Sequence, residues 1–594
     1  MGVSFGTPAS EFAFRTEKLT FNDGLVLSLE PGTTLIITGP NNSGKSITLR
    51  EIQQHLQRAG APNPQLPVYV VTDVAFQCSG TPHQLADWLR LRYPASKQAQ
   101  GTEFFQTATF QHAGPPSHGT GIGPEQPGFT LTAQSVAGMS HVLMLRLDTQ
   151  SRLAIASATQ SARYATNPAT YIHFLQRNEV LAEHLSALVR SAFNRRLIIN
   201  FGGGQQAWFH VGEEPPRQRD ADRVSVQYLE ALELQPRLDN EGDGIRSFVG
   251  SVLAAEVGIH PVMLIDEPEA FLHPPQARRL GSILAESATT SSRQIILATH
   301  SSDIIQGAMD ASQNVVVCRM VRDGNKNRVS LLGKSELRDL WAKPLLRSSM
   351  AINGIFHAGA VVCEGDSDCR FYEALALRTE KETSRPLDLY FVHGGGKGAI
   401  ATLAQTYKAL DVPTAVIADL DLLRRREEFL KLYGTLRGDP SEIEIPFNRT
   451  SSALNDRNPL VLASEFAESA RSVLDRIEMA GRVTSGDRKE LQELLDSATD
   501  WSEVKRYGIS KLTGAELTAG KELMMRCRQV GLFVVPVGVL ECWWREGPTN
   551  KPEWIAKAIP RISESPEVFR EASEFLADVF AYLGGRRVSA PAKP

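Results

Sequence analysis

The hydrophobic pattern of the first 60 residues predicts strands joined by tight turns and then a helix. From Phe12 onward apolar and polar residues alternate, Asn-Asp-Gly and Pro-Gly turns interrupt them, and the pattern ends in the apolar run Thr34–Thr38. A glycine-rich turn follows, and a helical pattern then runs from Ser46 to about Arg58. This order predicts a buried strand that leads through a glycine-rich turn into a helix.

Strand and helix patterns alternate again between residues 224 and 320. Apolar runs at residues 262 to 265 and at Gln294–Ala298 flank a helical pattern that follows Pro274. Strands that alternate with helices are typical of a parallel sheet covered by helices.

Two stretches interrupt this first α/β pattern. Residues 165 to 200 have the spacing of amphipathic helices, and we interpret about 165 to 235 as a helical insertion or dimerisation arm. Residues 95 to 135 are rich in Gly, Pro, Gln, Thr and His and show little periodicity. They are interpreted as a surface insertion whose function is not legible.

A second α/β pattern follows a predicted boundary between residues 348 and 349. Its apolar runs lie at residues 360–363, 390–392, 415–418 and 532–535. The charged stretch at about 455 to 525 is too long for an ordinary loop and predicts a helical insertion. The chain is therefore expected to hold two domains, 1–348 and 349–594.

Composition narrows the class of protein without deciding its partners. The 594 residues carry a net charge of −4, and 42% of them are apolar, enough for two or three cores. The six cysteines form no C-x-x-C pair, which argues against a zinc site or a disulfide framework. No leader and no apolar run of about 20 residues is visible. We expect a soluble, cytoplasmic protein that makes no membrane contact.

The glycine-rich turn fits the phosphate-loop pattern G-x-x-x-x-G-K-[ST]. In such loops backbone N–H groups surround phosphates, the lysine reaches the terminal phosphates and the final hydroxyl binds Mg²⁺. A chance glycine-rich turn is the alternative, which the strand-turn-helix context disfavours. The expected ATP-binding residues are Gly39, Asn41, Asn42, Ser43, Gly44, Lys45, Ser46 and Asp266.

A second element of the nucleotide site is an acidic strand end. The apolar run at 262–265 continues into Asp266 and Glu267, where ligands bind in α/β folds. We expect Asp266, with Ser46, to hold Mg²⁺ and Glu267 to polarise the attacking water. His300 ends the next strand and is a catalytic candidate, although a histidine at a strand end is more often structural.

Carboxylates also follow two strands of the second pattern. Glu364 ends an apolar run, Asp368 lies one helical turn later, and Asp419 and Asp421 follow another run two residues apart. Residues so spaced on a strand project to the same side. Oxygen ligands of this type suit Mg²⁺ or Mn²⁺, and a pair of such ions can drive phosphodiester cleavage. Solvated surface carboxylates are the alternative.

These motifs resemble known families. The phosphate loop, a glycine turn at 241–247, the acidic strand end and His300 resemble the ABC-type ATPase heads of the SMC and RecF group. The phrase Asp-Glu-Pro-Glu-Ala-Phe-Leu-His-Pro at 266–274 resembles the overcoming-lysogenization-defect (OLD) family. Heads of this type work as pairs, so the resemblance implies a homodimer or a higher homo-oligomer. Residues 241–247 are either the signature segment that closes on ATP or a plain helix-capping turn.

The second half resembles the TOPRIM domain of the same family. Glu364-Gly with Asp419-x-Asp421 is similar to the TOPRIM motif, and the loop that starts at His393 is similar to a glycine-rich OLD loop. The resemblance implies Glu541 as a further metal ligand and Lys551, or else Lys557, as a catalytic lysine. Many OLD proteins have glutamate where this chain has Asp368, which leaves the geometry of the second metal in question.

By resemblance, the function would be that of an ATP-regulated, Mg²⁺- or Mn²⁺-dependent endonuclease that nicks or cleaves DNA. The nuclease component of the Gabija anti-phage system, retron-linked proteins and PARIS-type proteins are similar, so we expect a prokaryotic defence effector, with a partner subunit possible. The alternatives are an RNA- or tRNA-cleaving toxin and a non-nucleolytic DNA-repair or sensing scaffold. The basic residues 424–426 suit a phosphate backbone or a solvated helix face equally well.

Overall fold

The computed structural model describes residues 12–59, 68–94, 96–107, 118–123, 130–163, 166–216, 223–332, 352–384, 387–394, 397–409, 411–455, 463–497, 507–548 and 550–585. The chain divides into two compact units, Met1–Ala342 and Lys343–Pro594. The predicted boundary between residues 348 and 349 lies outside the described residues and stays a prediction. Within the described ranges, no helix has the length and apolar character needed to cross a membrane.

The first unit contains strands and helices in alternation. Its strands are β1 (Ala13–Phe21), β2 (Val26–Ser28), β3 (Thr34–Thr38), β4 (Val71–Ser79), β5 (Ser96–Ala99), β6 (Thr102–Thr107), β7 (His118–Ile122), β8 (Met144–Leu147), β9 (Thr159–Gln160), β10 (Arg196–Asn200), β11 (Gln206–Gly212), β12 (Val262–Asp266), β13 (Gln294–Ala298), β14 (Val315–Asp323) and β15 (Lys326–Leu332). Its helices are α1 (Lys45–Arg58), α2 (Pro82–Arg92), α3 (Ala133–Val136), α4 (Ser140–Leu143), α5 (Thr149–Ile155), α6 (Tyr171–Gln176), α7 (Glu179–Phe193), α8 (Val226–Glu233), α9 (Asp243–Val257), α10 (Pro274–Thr290) and α11 (Ser302–Ala311).

The core of this unit is a six-stranded sheet in the order β15-β14-β3-β13-β12-β8. Its strands are parallel except β15, which pairs antiparallel with β14. Every residue of β3 and of β13 is buried, as expected for central strands covered on both faces. The parallel register brings the ends of β3, β12 and β13 to one edge. The phosphate loop, the acidic pair and His300 follow these ends.

Smaller antiparallel sheets surround this core, with the orders β2-β1-β4, β5-β6-β7 and β10-β11-β9. The interpretation of residues 95 to 135 as an aperiodic insertion was incomplete, because β5 to β7 form a sheet there. Its strands are short and rich in Thr, Gln and Gly, so only the alternating burial of β6 marks them. The helical insertion at 165 to 235 was also only partly right. It holds α6, α7 and α8 but also β10 and β11, whose runs of Ile, Trp, Phe and Val favour strands.

The second unit is a parallel sheet with a large helical part. Its strands are β16 (Gly359–Cys363), β17 (Leu389–His393), β18 (Thr414–Ala418) and β19 (Leu532–Val534). Its helices are α12 (Asp366–Thr383), α13 (Lys397–Ala409), α14 (Arg426–Thr435), α15 (Pro440–Asn455), α16 (Ala463–Ala480), α17 (Ser485–Ser497), α18 (Gly514–Val530), α19 (Lys551–Glu564) and α20 (Arg570–Gly585).

The four strands of this unit lie in the order β17-β16-β18-β19, and all are parallel. They match the apolar runs that the sequence predicts. The helical insertion begins at Arg426, about 30 residues earlier than predicted, because α14 and α15 belong to it and continue into α16 to α18.

An aromatic cluster fixes α12, α19 and α20 against one another. The fully buried Trp554 of α19 packs on Phe371 of α12, with ring centroids 5.2 Å apart, and Phe569 lies 5.3 Å from Phe371. Packing of this kind holds the first residue of α19 close to the start of α12. The start of α12 directly follows Glu364, so the cluster also positions the candidate site.

Candidate nucleotide site and carboxylate site

The phosphate loop between β3 and α1 depends on backbone conformations that favour glycine. Gly39, Asn42 and Gly44 have φ angles of 138°, 61° and 94°. A Cβ atom on Gly39 would lie 2.0 Å from the carbonyl oxygen of Met320 in β14, so only glycine fits there. Strand β14 therefore forms a wall behind the loop.

Asn327 of β15 supports the loop from behind. Its side-chain amide donates to the carbonyl of Ser43, and its backbone N–H donates to Oδ1 of Asn22 at 2.8 Å. Asn327 is almost fully buried. No sequence motif marks this residue, because the contact joins positions 284 residues apart.

Lys45 is buried and points back into the loop. Its ammonium donates to the carbonyls of Gly39 and Pro40 at 3.0 and 2.8 Å and lies 3.4 Å from Oγ of Ser43. Burial lowers the pKa of Lys45 to about 8, although nearby carboxylates, Glu267 foremost, act in the opposite direction. The lysine thus holds a positive charge that backbone dipoles only partly compensate, as a phosphate-binding lysine requires.

Ser46 and Asp266 meet next to this lysine. Oγ of Ser46 donates to Oδ1 of Asp266 at 2.9 Å, so both predicted Mg²⁺ ligands face one position. Burial raises the pKa of Asp266, against the effect of the Ser46 hydrogen bond. A buried carboxylate whose ionised form is disfavoured fits a cation at this place.

Glu267 and His300 lie at the same sheet edge. The exposed Glu267 has a left-handed backbone, with φ of 47°, and its N–H donates to the carbonyl of Ala298 at 2.9 Å. The N–H of His300 donates to Oε1 of Glu269 at 2.8 Å. Burial, assisted by the charge of Lys45, lowers the pKa of His300 to about 4, so its imidazole is neutral at ordinary pH.

The predicted signature segment begins α9, with Gly242 as its N-terminal cap. A Cβ atom on Gly244 would lie 2.6 Å from the carbonyl oxygen of Phe271, in the turn after the acidic strand. The segment is thus in contact with the turn that carries the acidic pair. Arg152, which sequence analysis gave no role, lies between these parts and is fully buried.

In the second unit the carboxylates gather at the carboxyl-terminal edge of the sheet. Oε1 of Glu364, after β16, accepts the N–H of Asp419, after β18, at 3.1 Å. The N–H of Leu420 donates to the carbonyl of Gly538 at 2.9 Å, which ties the loop after β18 to the loop after β19. These bonds place Glu364 and Asp419 next to each other.

Asp368 and Lys551 form a partly buried ion pair at the same place. Nζ of Lys551 lies 3.2 and 3.4 Å from the two carboxylate oxygens of Asp368, which is 4% exposed. Oδ2 of Asp368 also accepts the N–H of Gly365 at 2.9 Å. Burial acts to lower the pKa of Lys551, but Asp368, Asp419 and Glu541 outweigh it, and the pKa is raised.

Asp419 is the most perturbed acid of this site. Burial and the carboxylates of Glu364 and Asp368 raise the pKa of Asp419 well above its usual range. Asp421 adds to this effect although it lies in a 3-10 turn, Leu420–Arg424. The expected strand alternation between Asp419 and Asp421 was therefore wrong, because β18 ends at Ala418.

Other predicted residues lie around this group. Glu541, in a 3-10 turn after β19, is close enough to affect the charge of Lys551. Lys557 instead pairs with Glu553 at 2.7 Å on the exposed side of α19. His393 ends β17 beside β16 and lies 3.8 Å from the exposed Asp366. Of the two lysines, the structure thus places Lys551 with the carboxylates.

The carboxylate site fits a hard divalent cation by its donor chemistry. Its acids are oxygen ligands, and Glu364, Asp368 and Asp419 together carry more negative charge than Lys551 offsets when all three are ionised. Among the described residues, no group of three or more His, Cys, Asp or Glu side chains is arranged to hold an ion as it stands. The acids would therefore have to turn towards a shared ion.

Comparisons with known proteins identify both units. Residues 145–305 match the family model described as "AAA domain, putative AbiEii toxin, Type IV TA system". Residues 355–421 match "Overcoming lysogenization defect protein-like, TOPRIM domain". Two curated relatives are an Old nuclease of Escherichia phage P2 and an OLD nuclease of Thermus scotoductus. Residues 355–421 therefore carry an OLD-like TOPRIM domain, and the chain is similar to OLD nucleases.

The likeness to these OLD proteins covers a limited part of each. The phage P2 protein is 25% identical over 168 residues, which are 27% of this chain and 28% of that protein. The Thermus scotoductus protein is 30% identical over 171 residues, 27% of this chain and 31% of that protein. The chain therefore spans less than a third of the length of the curated relatives it matches.

Among solved structures, SMC head domains are similar to this chain. A head bound to the C-terminal winged-helix domain of ScpA is 12% identical, covers 55% of this chain and 99% of that structure, and has a TM-score of 0.33. The SMC head domain from Thermotoga maritima is 12% identical over 54% of this chain and 99% of that structure, with a TM-score of 0.27. The ATPase-head fold itself rests on the strand order and on the family model.

Proposed function

We propose that this chain is an ATP-regulated, divalent-metal-dependent endonuclease that nicks or cleaves DNA. One observation carries the proposal: Glu364, Asp368, Asp419 and Lys551 converge at the carboxyl-terminal edge of a parallel sheet. A group of buried acids with one lysine suits metal-assisted cleavage of a phosphodiester. The names of the two relatives support the same class of activity.

Each residue of the carboxylate site has a proposed task. Mg²⁺ or Mn²⁺, when bound, supplies an activated water and stabilises the leaving oxygen. Glu364, Asp419 and Asp421 hold this ion, and Asp368 and Glu541 extend the ligand set towards a second one. Lys551, which already lies next to Asp368, neutralises charge on the scissile phosphate.

The nucleotide site controls the activity of the carboxylate site in this proposal. Lys45 binds the terminal phosphates, Ser46 and Asp266 hold Mg²⁺, and Glu267 polarises the attacking water, while a neutral His300 faces the γ-phosphate. ATP held between two heads would join copies of this chain into a dimer or a higher oligomer. Binding would then change the access of nucleic acid to the carboxylate site. We place this activity in the cytoplasm, in anti-phage defence, with a partner subunit as a further component.

The test compares substrates and variants of the full chain. Plasmid DNA and tRNA are incubated with Mg²⁺ or Mn²⁺, with and without ATP, and products are separated on gels. Wild-type protein should nick or cleave the plasmid, and Glu364→Gln and Asp419→Ala should lose at least about 100-fold of this activity while ATP turnover persists. Asp366→Ala is the matched control, because Asp366 is an exposed acid of the same segment that pairs with Arg370.

Three outcomes would change the proposal. Cleavage of tRNA alone would make the chain an RNA nuclease. Absence of any cleavage, from protein that hydrolyses ATP, would make it a scaffold with an idle carboxylate site. Equal losses in Asp366→Ala and Glu364→Gln would show that the acids act through charge alone.

A further inference from the structure

Arg152 occupies an unusual place in the ATPase unit. Helix α5 starts immediately after β8, which is the neighbour of β12 in the sheet, so its first turn lies beside the end of β12. Arg152 is in that helix and is fully buried. Burial of a guanidinium costs free energy unless its N–H groups donate hydrogen bonds, so the acceptors of Arg152 indicate its role.

One side of the guanidinium binds the acidic strand end. Nη1 of Arg152 donates to the carbonyl of Asp266 at 2.6 Å, and Nη2 donates to the carbonyl of Glu267 at 2.9 Å. These carbonyls belong to the last residue of β12 and to the residue after it, where the chain leaves the sheet. The planar guanidinium presents its donors in a fixed fork, which suits these two acceptors and Ser247 at once.

The other side binds the helix that follows the signature segment. Nε of Arg152 donates to Oγ of Ser247 at 3.0 Å, and Ser247 lies in the first turns of α9. The backbones of the two helices also touch. A Cβ atom on Gly250 would lie 2.0 Å from the carbonyl oxygen of Arg152. A shift of α9 would therefore displace Arg152 as well.

The contact matters because of the backbone at Glu267. Its φ of 47° lies in the left-handed region, which a residue with a side chain adopts only when its surroundings hold it. Three hydrogen bonds hold it here: its N–H donates to the carbonyl of Ala298 at 2.9 Å, and its carbonyl accepts the N–H of Ala270 at 3.0 Å and Nη2 of Arg152 at 2.9 Å. Of these three, the bond to Arg152 is the one that leads to α9.

We propose that Arg152 is a positioning residue that couples the signature segment to the acidic strand end. With α9 docked, Arg152 keeps Glu267 in the left-handed conformation that aims its carboxylate at the attacking water. A change at the signature segment, such as pairing with a second head, reaches Glu267 through Ser247 and Arg152. The inference rests on the proposed hydrolysis of ATP at this site and adds the residue that transmits the signal.

The test separates nucleotide binding from turnover in the full chain. Arg152→Met should lower kcat for ATP at least about 30-fold, because the reacting group is misplaced, while the Kd for nucleotide changes less than about threefold. Arg152→Lys and Ser247→Ala should each lower kcat about three- to tenfold. Ser247→Ala should have no further effect in the Arg152→Met background, because the path is already broken.

Arg293→Met is the control for the mere loss of an arginine. Arg293 also donates to a backbone carbonyl, that of Ala255, and to Oγ of Ser287 at 2.9 Å, but it lies before β13, at the opposite end of the sheet. It should keep kcat within about twofold at a similar loss of thermal stability. Equal losses of kcat in Arg293→Met and Arg152→Met would overturn the inference.

The remaining outcomes are also decisive. Weaker nucleotide binding with an unchanged kcat in Arg152→Met would overturn the inference. If Arg152→Met does not fold, Arg152→Lys and Ser247→Ala replace it, and a wild-type kcat in both would overturn the inference as well. Lys45→Ala distinguishes a failure of the inference about Arg152 from a failure of the proposed function. If Lys45→Ala turns over ATP normally, the nucleotide site is wrong and the inference falls with it. If only Lys45→Ala loses turnover, the inference alone is overturned.

Discussion

Lys45 and Lys551 occupy similar places in the two units, but their pKa values are shifted in opposite directions. Each lies at the carboxyl-terminal edge of a parallel sheet, close to acids that follow strand ends. Lys45 donates to backbone carbonyls, and burial lowers its pKa to about 8. Lys551 binds the carboxylate of Asp368 directly, and its pKa is raised.

This difference indicates the charge of the ligand that each site would bind. Lys45 donates to neutral oxygen atoms and burial disfavours its charge, so an anion such as a phosphate would stabilise it. Around Lys551, the carboxylates of Glu364, Asp368 and Asp419 outnumber the lysine. That site would be stabilised by a cation. Sheet edges of the same type thus favour ligands of opposite charge, according to whether the lysine meets carbonyls or carboxylates.

The largest expected effect comes from removing Lys45. Lys45→Ala should lower ATP turnover at least about 100-fold, because the charge that receives the phosphates is lost. Cutting of nucleic acid without nucleotide should stay within about threefold of wild type, since the carboxylate site is intact. Phosphate release and plasmid nicking measure the two activities side by side. If Lys45→Ala lost ATP turnover and plasmid nicking to the same extent, the nucleotide site and the carboxylate site would not act independently.

A matched pair of lysines on α19 tests the second half of the comparison. Lys551→Met should lower cutting about 10- to 100-fold, because the charge beside Asp368 is removed. Lys557→Met should keep cutting within about twofold, because Lys557 pairs only with Glu553 on an exposed face. Initial rates of plasmid nicking decide between them. If Lys557→Met has the larger effect, Lys551 belongs to the fold rather than to the chemistry.

The smallest effect is a pH dependence of nucleotide capture. Lys45 carries its charge below its pKa of about 8 and loses it as pH rises through that value. The kcat/KM for ATP, which depends on groups of the free protein, should therefore fall about threefold between pH 7.5 and 8.5. Lys45→Arg, if active, should remove this fall, because a guanidinium stays charged there. A flat wild-type profile up to pH 9.5 would contradict the lowered pKa.

Much of both folds could be predicted because their signals are local. The strands that carry the sites are continuous apolar runs, and the residues that follow them stand in short motifs, as at Gly39 and Asp266. Such a strand with a polar residue at its end predicts the sheet edge as well as the site. The four strands of the second unit followed from the sequence for the same reason.

The remaining features depend on contacts between distant parts of the chain. Arg152 and Asn327 act through backbone carbonyls, which no sequence motif marks. The choice between Lys551 and Lys557 depends on which side of α19 faces α12, which the aromatic cluster around Trp554 decides. The sheet of β5 to β7 was missed because its strands are short and, apart from Phe104, Phe105 and Ile122, consist mainly of small and polar residues.

The contact between Gly39 and Met320 has a consequence for protein engineering. The matched ATPase family model stops at residue 305, whereas β14, which carries Met320, starts at Val315. A protein shortened to that limit would lose the strand that pairs with β3 and the asparagine beneath Ser43. The smallest portion of this ATPase unit with an intact phosphate loop therefore extends at least through β15, to Leu332.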